Sequence, residues 1–367
     1  MPFELANVPQ ILSMLHDKTG ALLSEGAKSQ IDAFSKEKRI FAGEAAVQSG
    51  LVSPAELEAS LLKQSAMKAE AAGKDIATIT EKGTQDKPPF LKANWGNNGV
   101  NKPVANPTLI DASQSAANFA QNIVMLANDK PELAKELQPA VASAVALAKN
   151  LADPVKAGKL SNEERTRLTE EAVTGLKTAV EKSGVKLMAG STEIQLDDFI
   201  KARTQEIDQG HSNHKIGTLK ALLGKIDTGH VHTDITGRDQ MRGTGDGKIS
   251  DVEAINAIKN GVIVTGVDTQ RQFIYGKNAA QDIIAAAQSV GLDEMKKHPE
   301  LLGSVMAVAN ANGTKLDFAQ KNTDHNVNPS TGLETPSVPT IASRNGRIVS
   351  AIKSIIFHYF FLFDGMN

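Results

Sequence analysis

Between Asp227 and Glu253 the chain gathers most of the side chains that could do chemistry. Asp227, Asp234, Asp239, Thr244, Asp246, Ser250 and Glu253 offer carboxylate and hydroxyl oxygens, with Gly243, Gly245 and Gly247 spaced among them. Oxygen donors suit a hard cation, and calcium takes about six to eight of them in a flexible geometry. A second set overlaps the first. Four of the eight histidines, His211, His214, His230 and His232, follow a His-x-x-His and then a His-x-His spacing. Neutral imidazoles bind zinc, nickel or copper, and the chain has no cysteine to compete as thiolate. The spacing does not match the zinc-protease helix motif. Solvated loop histidines are the simpler reading, and a pH-responsive loop titrating near neutrality is a third.

Helices must position these groups. Ile216 to Ile226 has helical spacing and runs into Asp227, and Val252 to Ile258 resumes that spacing. The second half of the intervening loop, Gly245 to Glu253, resembles the EF-hand family. With Gly247 as the turn glycine, the resemblance places Asp246 at the fifth loop position and Lys248 at the seventh, where the backbone carbonyl ligates. It places Ile249 as the buried apolar residue, Ser250 at the ninth position and Glu253 at the twelfth, a bidentate carboxylate. Thr244 falls at the third position. The first falls on Arg242, where the family carries aspartate and a guanidinium would repel the ion. Either the loop binds nothing, or it is expanded and Asp239, Asp234 or Asp227 folds back to supply the missing ligand. EF-hands pair, and Gly190 to Ile200, with Ile194, Leu196, Asp197 and Asp198, is either a ligand-poor partner loop or an unrelated hairpin entering a helix.

Composition bounds the rest. The chain has 367 residues, 41% hydrophobic, 22% charged and 4% aromatic. Abundant alanine with few rings favours helix packed on helix, so the fold expected is mainly α: multi-helix bundle units, an EF-hand-like helix-loop-helix and at most a small β-hairpin. The organisation expected is a helical unit over 1–82, a Pro/Gly/Asn linker over 83–110, a helical unit over 111–183, an EF-hand-like helical domain over 184–320, a linker over 321–345 and an amphipathic apolar C-terminal helix over 346–367. Ser53-Pro54-Glu56 and Ser161 to Glu164 read as capping-box starts, Pro139 as another helix start, and Trp95 as a packing anchor in the first linker.

A net charge of −2 provides no broad basic field for nucleic acid. No Walker loop, nucleophile elbow or dinucleotide fingerprint is present, so no enzyme class is assigned. Glu44, Val47, Gly50, Leu51, Leu57, Leu61 and Gln64 look like the N-terminal module of type II secretion ATPases, read here as helix-turn-helix convergence without a nucleotide role. No Sec-type signal is seen, which makes the cytoplasm the default and leaves export without a cleaved signal open. Ile348, Val349, Ile352, Ile355, Ile356, Tyr359, Phe360 and Phe363 form a helical apolar stripe, and peripheral membrane contact through 346–363, partner binding, or docking on the core are its possible uses. The leading expectation is a non-enzymatic, calcium-binding or calcium-stabilised interaction protein with a protein partner. A metal-free scaffold or exported effector acting through the C-terminal helix is the alternative, and a His-ligated metalloprotein, with Zn2+ as the ion, the second alternative.

Overall fold

The computed structural model describes residues 3–86, 92–95, 103–189, 192–227, 230–232, 239–242, 244–260, 262–265, 272–275 and 277–318. The stretches 321–345 and 346–367, expected as a linker and an apolar helix, lie outside the described residues. Two compact units are seen, one running to Asn213 and the other beginning at His214.

The first unit is built on α1 (Glu25–Lys38), α2 (Ala42–Gln48), α3 (Pro54–Lys82), α4 (Leu109–Asp129), α5 (Ala134–Leu151), α6 (Pro154–Lys159), α7 (Asn162–Ser183) and the beginning of α8 (Leu196–Asp227). Capping residues set the helix starts. Ser53 accepts the Glu56 N–H ahead of Pro54, and Ser161 accepts the Glu164 N–H. Neither glutamate completes the box. The Glu56 side chain accepts the His16 N–H at 3.0 Å and meets its Nδ1 at 2.8 Å, and Glu164 pairs with Arg167 at 2.7 Å. The reciprocal box is Thr108 with Asp111, opening α4. Pro139 lies inside α5, which already begins at Ala134; proline costs a helix one N–H bond there and does not end it.

Small residues let these helices approach. Ala69, Ala72, Ala112, Ala116, Ala120, Ala144 and Ala148 are buried together with Ile76, Phe119, Ile123, Leu147 and Phe199. A Cβ built on Gly175 of α7 would stand 2.1 Å from the Ala140 Cβ. Residues on both sides of the 83–110 linker share this core, so the breaks expected at 82 and 183 do not divide it. The linker is tied down: Asn122 accepts the Asn94 N–H at 2.7 Å and donates to its carbonyl at 2.8 Å, and Asn128 does the same for Gln85 at 2.8 and 3.1 Å. Trp95 is buried edge-on to Phe199, with ring centres 5.4 Å apart. Glu206 is wholly buried and accepts from the Val104 N–H, Ser115 Oγ and Arg203 Nη1.

Strands β1 (Met188–Ala189) and β2 (Thr192–Glu193) form the expected antiparallel hairpin before α8. The helix entered after the hairpin and the one expected over 216–226 are a single helix, since α8 runs unbroken from Leu196 to Asp227.

The second unit holds the last part of α8, then β3 (His230–His232), β4 (Asp239–Arg242), α9 (Asp251–Asn260), β5 (Val262–Thr265), β6 (Gln272–Tyr275), α10 (Lys277–Val290), α11 (Leu292–Lys296) and α12 (Pro299–Ala311). Leu219, Leu223, Ile249, Ala254, Ile283, Ala287, Met295, Val305 and Val308 form its core. The fold is mainly α, with one addition to what was expected: an antiparallel four-stranded sheet in the order β4-β3-β5-β6. The β-branched run Val262-Ile263-Val264-Thr265 and the aromatic-rich Gln272-Phe273-Ile274-Tyr275 supply the local preference for it.

Candidate metal centre

The acidic loop lies wholly in the second unit. α8 ends on Asp227, the chain leaves through β3 and β4, and it returns at Thr244. Arg242, at the first position of the contiguous alignment, is on β4 with its backbone opposite His230. Asp227, at the end of α8, bonds to the loop instead. Its Oδ2 accepts the N–H of Gly247, the turn glycine, at 2.9 Å, and its carbonyl accepts the Gly245 N–H at 3.0 Å. Gly245 and Gly247 have φ of +67° and +85°, a left-handed backbone open to glycine and strained for most other residues. Among the described side chains, Asp227 is the upstream aspartate that bonds to the loop. Asp239 has its backbone on β4 opposite His232, its side chain outside the described residues, and Asp234 is likewise outside them.

Asp227 is only 6% exposed, and its Oδ1 is buried with no hydrogen-bond partner. A buried carboxylate oxygen without donor or counter-ion is costly, and such an atom requires an explanation.

The remaining donors converge on Glu253. Its Oε1 accepts the Thr244 N–H at 2.9 Å and Thr244 Oγ at 3.0 Å, while Oε2 accepts the Ser250 N–H at 2.8 Å and Ser250 Oγ at 2.7 Å. The Glu253 N–H donates back to Ser250 Oγ at 3.2 Å, a complete capping box at the start of α9. Burial would raise the Glu253 carboxyl, and these four bonds outweigh it, holding it below the ordinary glutamate value. Asp246 is exposed and folds onto its own turn, accepting the Lys248 N–H at 2.8 Å. The Lys248 ammonium reaches Glu300 at 3.2 Å.

Ile249 is buried, as expected of the apolar loop residue, and its N–H donates to Ser304 Oγ at 3.0 Å. Ser304, on α12, was not singled out from the sequence; a lone serine 55 residues downstream carries no local signal of the contact. In the first unit, the Ile194 N–H donates to the Leu187 carbonyl within the hairpin.

The histidines fall apart as a set. His211 and His214 are helical rather than in a loop, both on α8. His211 is wholly buried in the first unit, its Nε2 2.8 Å from the Ala157 carbonyl and its Nδ1 3.2 Å from Arg165 Nη1. With the ring donating through Nε2 and accepting at Nδ1, neither nitrogen faces a metal. His214 belongs to the second unit. His230 and His232 contribute backbone to β3, and their side chains lie outside the described residues. Among the described residues, no group of three or more His, Asp or Glu side chains stands close enough to hold a metal ion. Nor is any helix among them long and apolar enough to cross a membrane.

No family model, curated protein or solved structure matches the chain.

Proposed function

We propose that the protein is a non-enzymatic, calcium-stabilised helical interaction protein whose ion is taken by Asp227, Thr244, Asp246, the Lys248 carbonyl and Glu253. The observation that carries this reading is the buried, unpartnered Oδ1 of Asp227 beside an Oδ2 already bonded to the turn glycine. A cation would satisfy that oxygen, and hard oxygens are all that the loop offers. The sequence supports the same assignment once residues 228–242 are set aside. Asp227 followed by Gly243 to Glu253 then reads Asp-Gly-Thr-Gly-Asp-Gly-Lys-Ile-Ser-Asp-Val-Glu, with aspartate first, glycine sixth and glutamate twelfth. The three carboxylates do not stand together before the ion binds, so Glu253 would exchange its bonds to Ser250 and Thr244 for the ion, and Asp246 its bond to the Lys248 N–H.

Calcium titration by calorimetry and thermal unfolding tests the proposal. Calcium at a hundred times its dissociation constant should add about 2.7 kcal/mol to the stability of the unit that binds it, and chelator should remove the gain. Asp227→Asn, which keeps an oxygen for the Gly247 N–H, should abolish the shift, as should the double variant Asp246→Ala, Glu253→Ala. A wild type whose melting is unmoved by millimolar calcium would sink the reading.

A further inference from the structure

We infer that occupancy of this loop governs the order of the four-stranded sheet, making the sheet the element that a bound cation regulates. The inference rests on the calcium reading above and adds a consequence to it. Residues 228–243 leave the loop just after Asp227 and re-enter it just before Thr244, and β3 and β4 lie within them. Two bonds to Asp227 clamp the base of this insertion, from Gly245 N–H to its carbonyl at 3.0 Å and from Gly247 N–H to its Oδ2 at 2.9 Å. The other half of the sheet hangs from the far end of the same loop. Glu253 caps α9, α9 ends at Asn260, and β5 starts at Val262. β3 joins the halves, pairing His230 with Ile263 and Val231 with Val262. A cation shared by Asp227 and Glu253 would tie both attachments to one point.

The energetics make this coupling effective. β3 has three residues and β4, β5 and β6 four each. Strands this short pair through few hydrogen bonds, and either two-stranded hairpin alone would be marginal. Pinning the two ends of an insertion removes part of the chain entropy lost when its strands pair. A modest gain at the base therefore shifts the population of the whole sheet.

Hydrogen–deuterium exchange of the full-length protein tests this, with calcium chloride at saturation judged by calorimetry and again with chelator. Amides of 230–232, 239–242, 262–265 and 272–275 should exchange about tenfold more slowly with calcium, and Asp227→Asn should erase the difference. If calcium binds by calorimetry and slows only the amides of 244–253, the coupling is overturned while the ion site stands. If calcium gives no heat and no stabilisation in the wild type, the site and the coupling fall together. Deletion of residues 228–242 supplies an independent check. It should bind calcium through the contiguous loop yet show no protection at 262–265, and calcium-dependent protection there would also overturn the coupling.

Discussion

At the scale of single residues, two glycines on helices illustrate what the fold demands of each position. Gly175 faces Ala140 so closely that an added Cβ would meet it at 2.1 Å, whereas a Cβ on Gly217 of α8 would meet nothing within 4 Å. Gly175→Ala should therefore destabilise the first unit by about 1–3 kcal/mol, because the overlap outweighs the gain in helix propensity. Gly217→Ala should stabilise the helix by about 0.5–1 kcal/mol. Urea unfolding of both variants checks the pair, and equal effects of the same sign would refute the packing argument. Glu253 yields the other prediction at this scale. Its carboxyl is held below the ordinary glutamate value, so the folded state favours the ionised form. The stability it contributes is present above the unfolded value and lost as pH falls through the folded one. Acid titration followed by exchange at the Thr244 and Ser250 amides should show this loss in the wild type, and Glu253→Gln should flatten it.

At the scale of elements, the asparagines of α4 hold the extended linker as a neighbouring strand would. Asn122 is wholly buried and satisfies both backbone groups of Asn94. Asn122→Ala removes both bonds and should cost about 1–3 kcal/mol, with a red-shifted emission as Trp95 loosens from Phe199. Unchanged emission and stability would show that the linker is held by its rings alone. The elements also differ in how far they could be read from sequence. Starts at Ser53 and Ser161, the hairpin before α8, and the helix α9 follow from capping and spacing, which are local. The span of α8 does not. Gly210 looks like a break in it, yet a Cβ there would lie 2.3 Å from the Thr108 carbonyl, so the glycine serves a close helix crossing. The sheet escaped notice because its strands are short and its two hairpins are joined only through β3 and β5, which are distant in sequence. His211 escaped for the same reason, since its role depends on Ala157 and Arg165, far away in sequence. Asp227 could be named only as one of three candidates; its bond to the turn glycine exists only in the folded loop.

At the scale of the whole molecule, the two units carry titrating carboxylates with opposite histories. In the second unit Glu253 is pushed down by its hydrogen bonds. In the first, burial raises both Glu206 and Asp111, in spite of the nearby Arg203 guanidinium. A carboxyl with a raised folded value binds its proton more tightly when folded. Its contribution is fully present below the unfolded value and lost as pH rises through the folded one. The chain's single tryptophan, Trp95, lies in the first unit, so its fluorescence follows that unit. Comparing wild type with Glu206→Gln separates Glu206 from the other titrating groups. The difference in unfolding free energy, wild type minus variant, should grow as pH falls from neutral toward the ordinary carboxylate range and level off below it. The lowered carboxyls of Glu164 and Glu171 act only beneath that window. A difference that stays flat from neutral to acid would mean that Glu206 ionises in the folded state as it does in the unfolded chain, with its buried bonds to Ser115, Val104 and Arg203 fully compensating its burial.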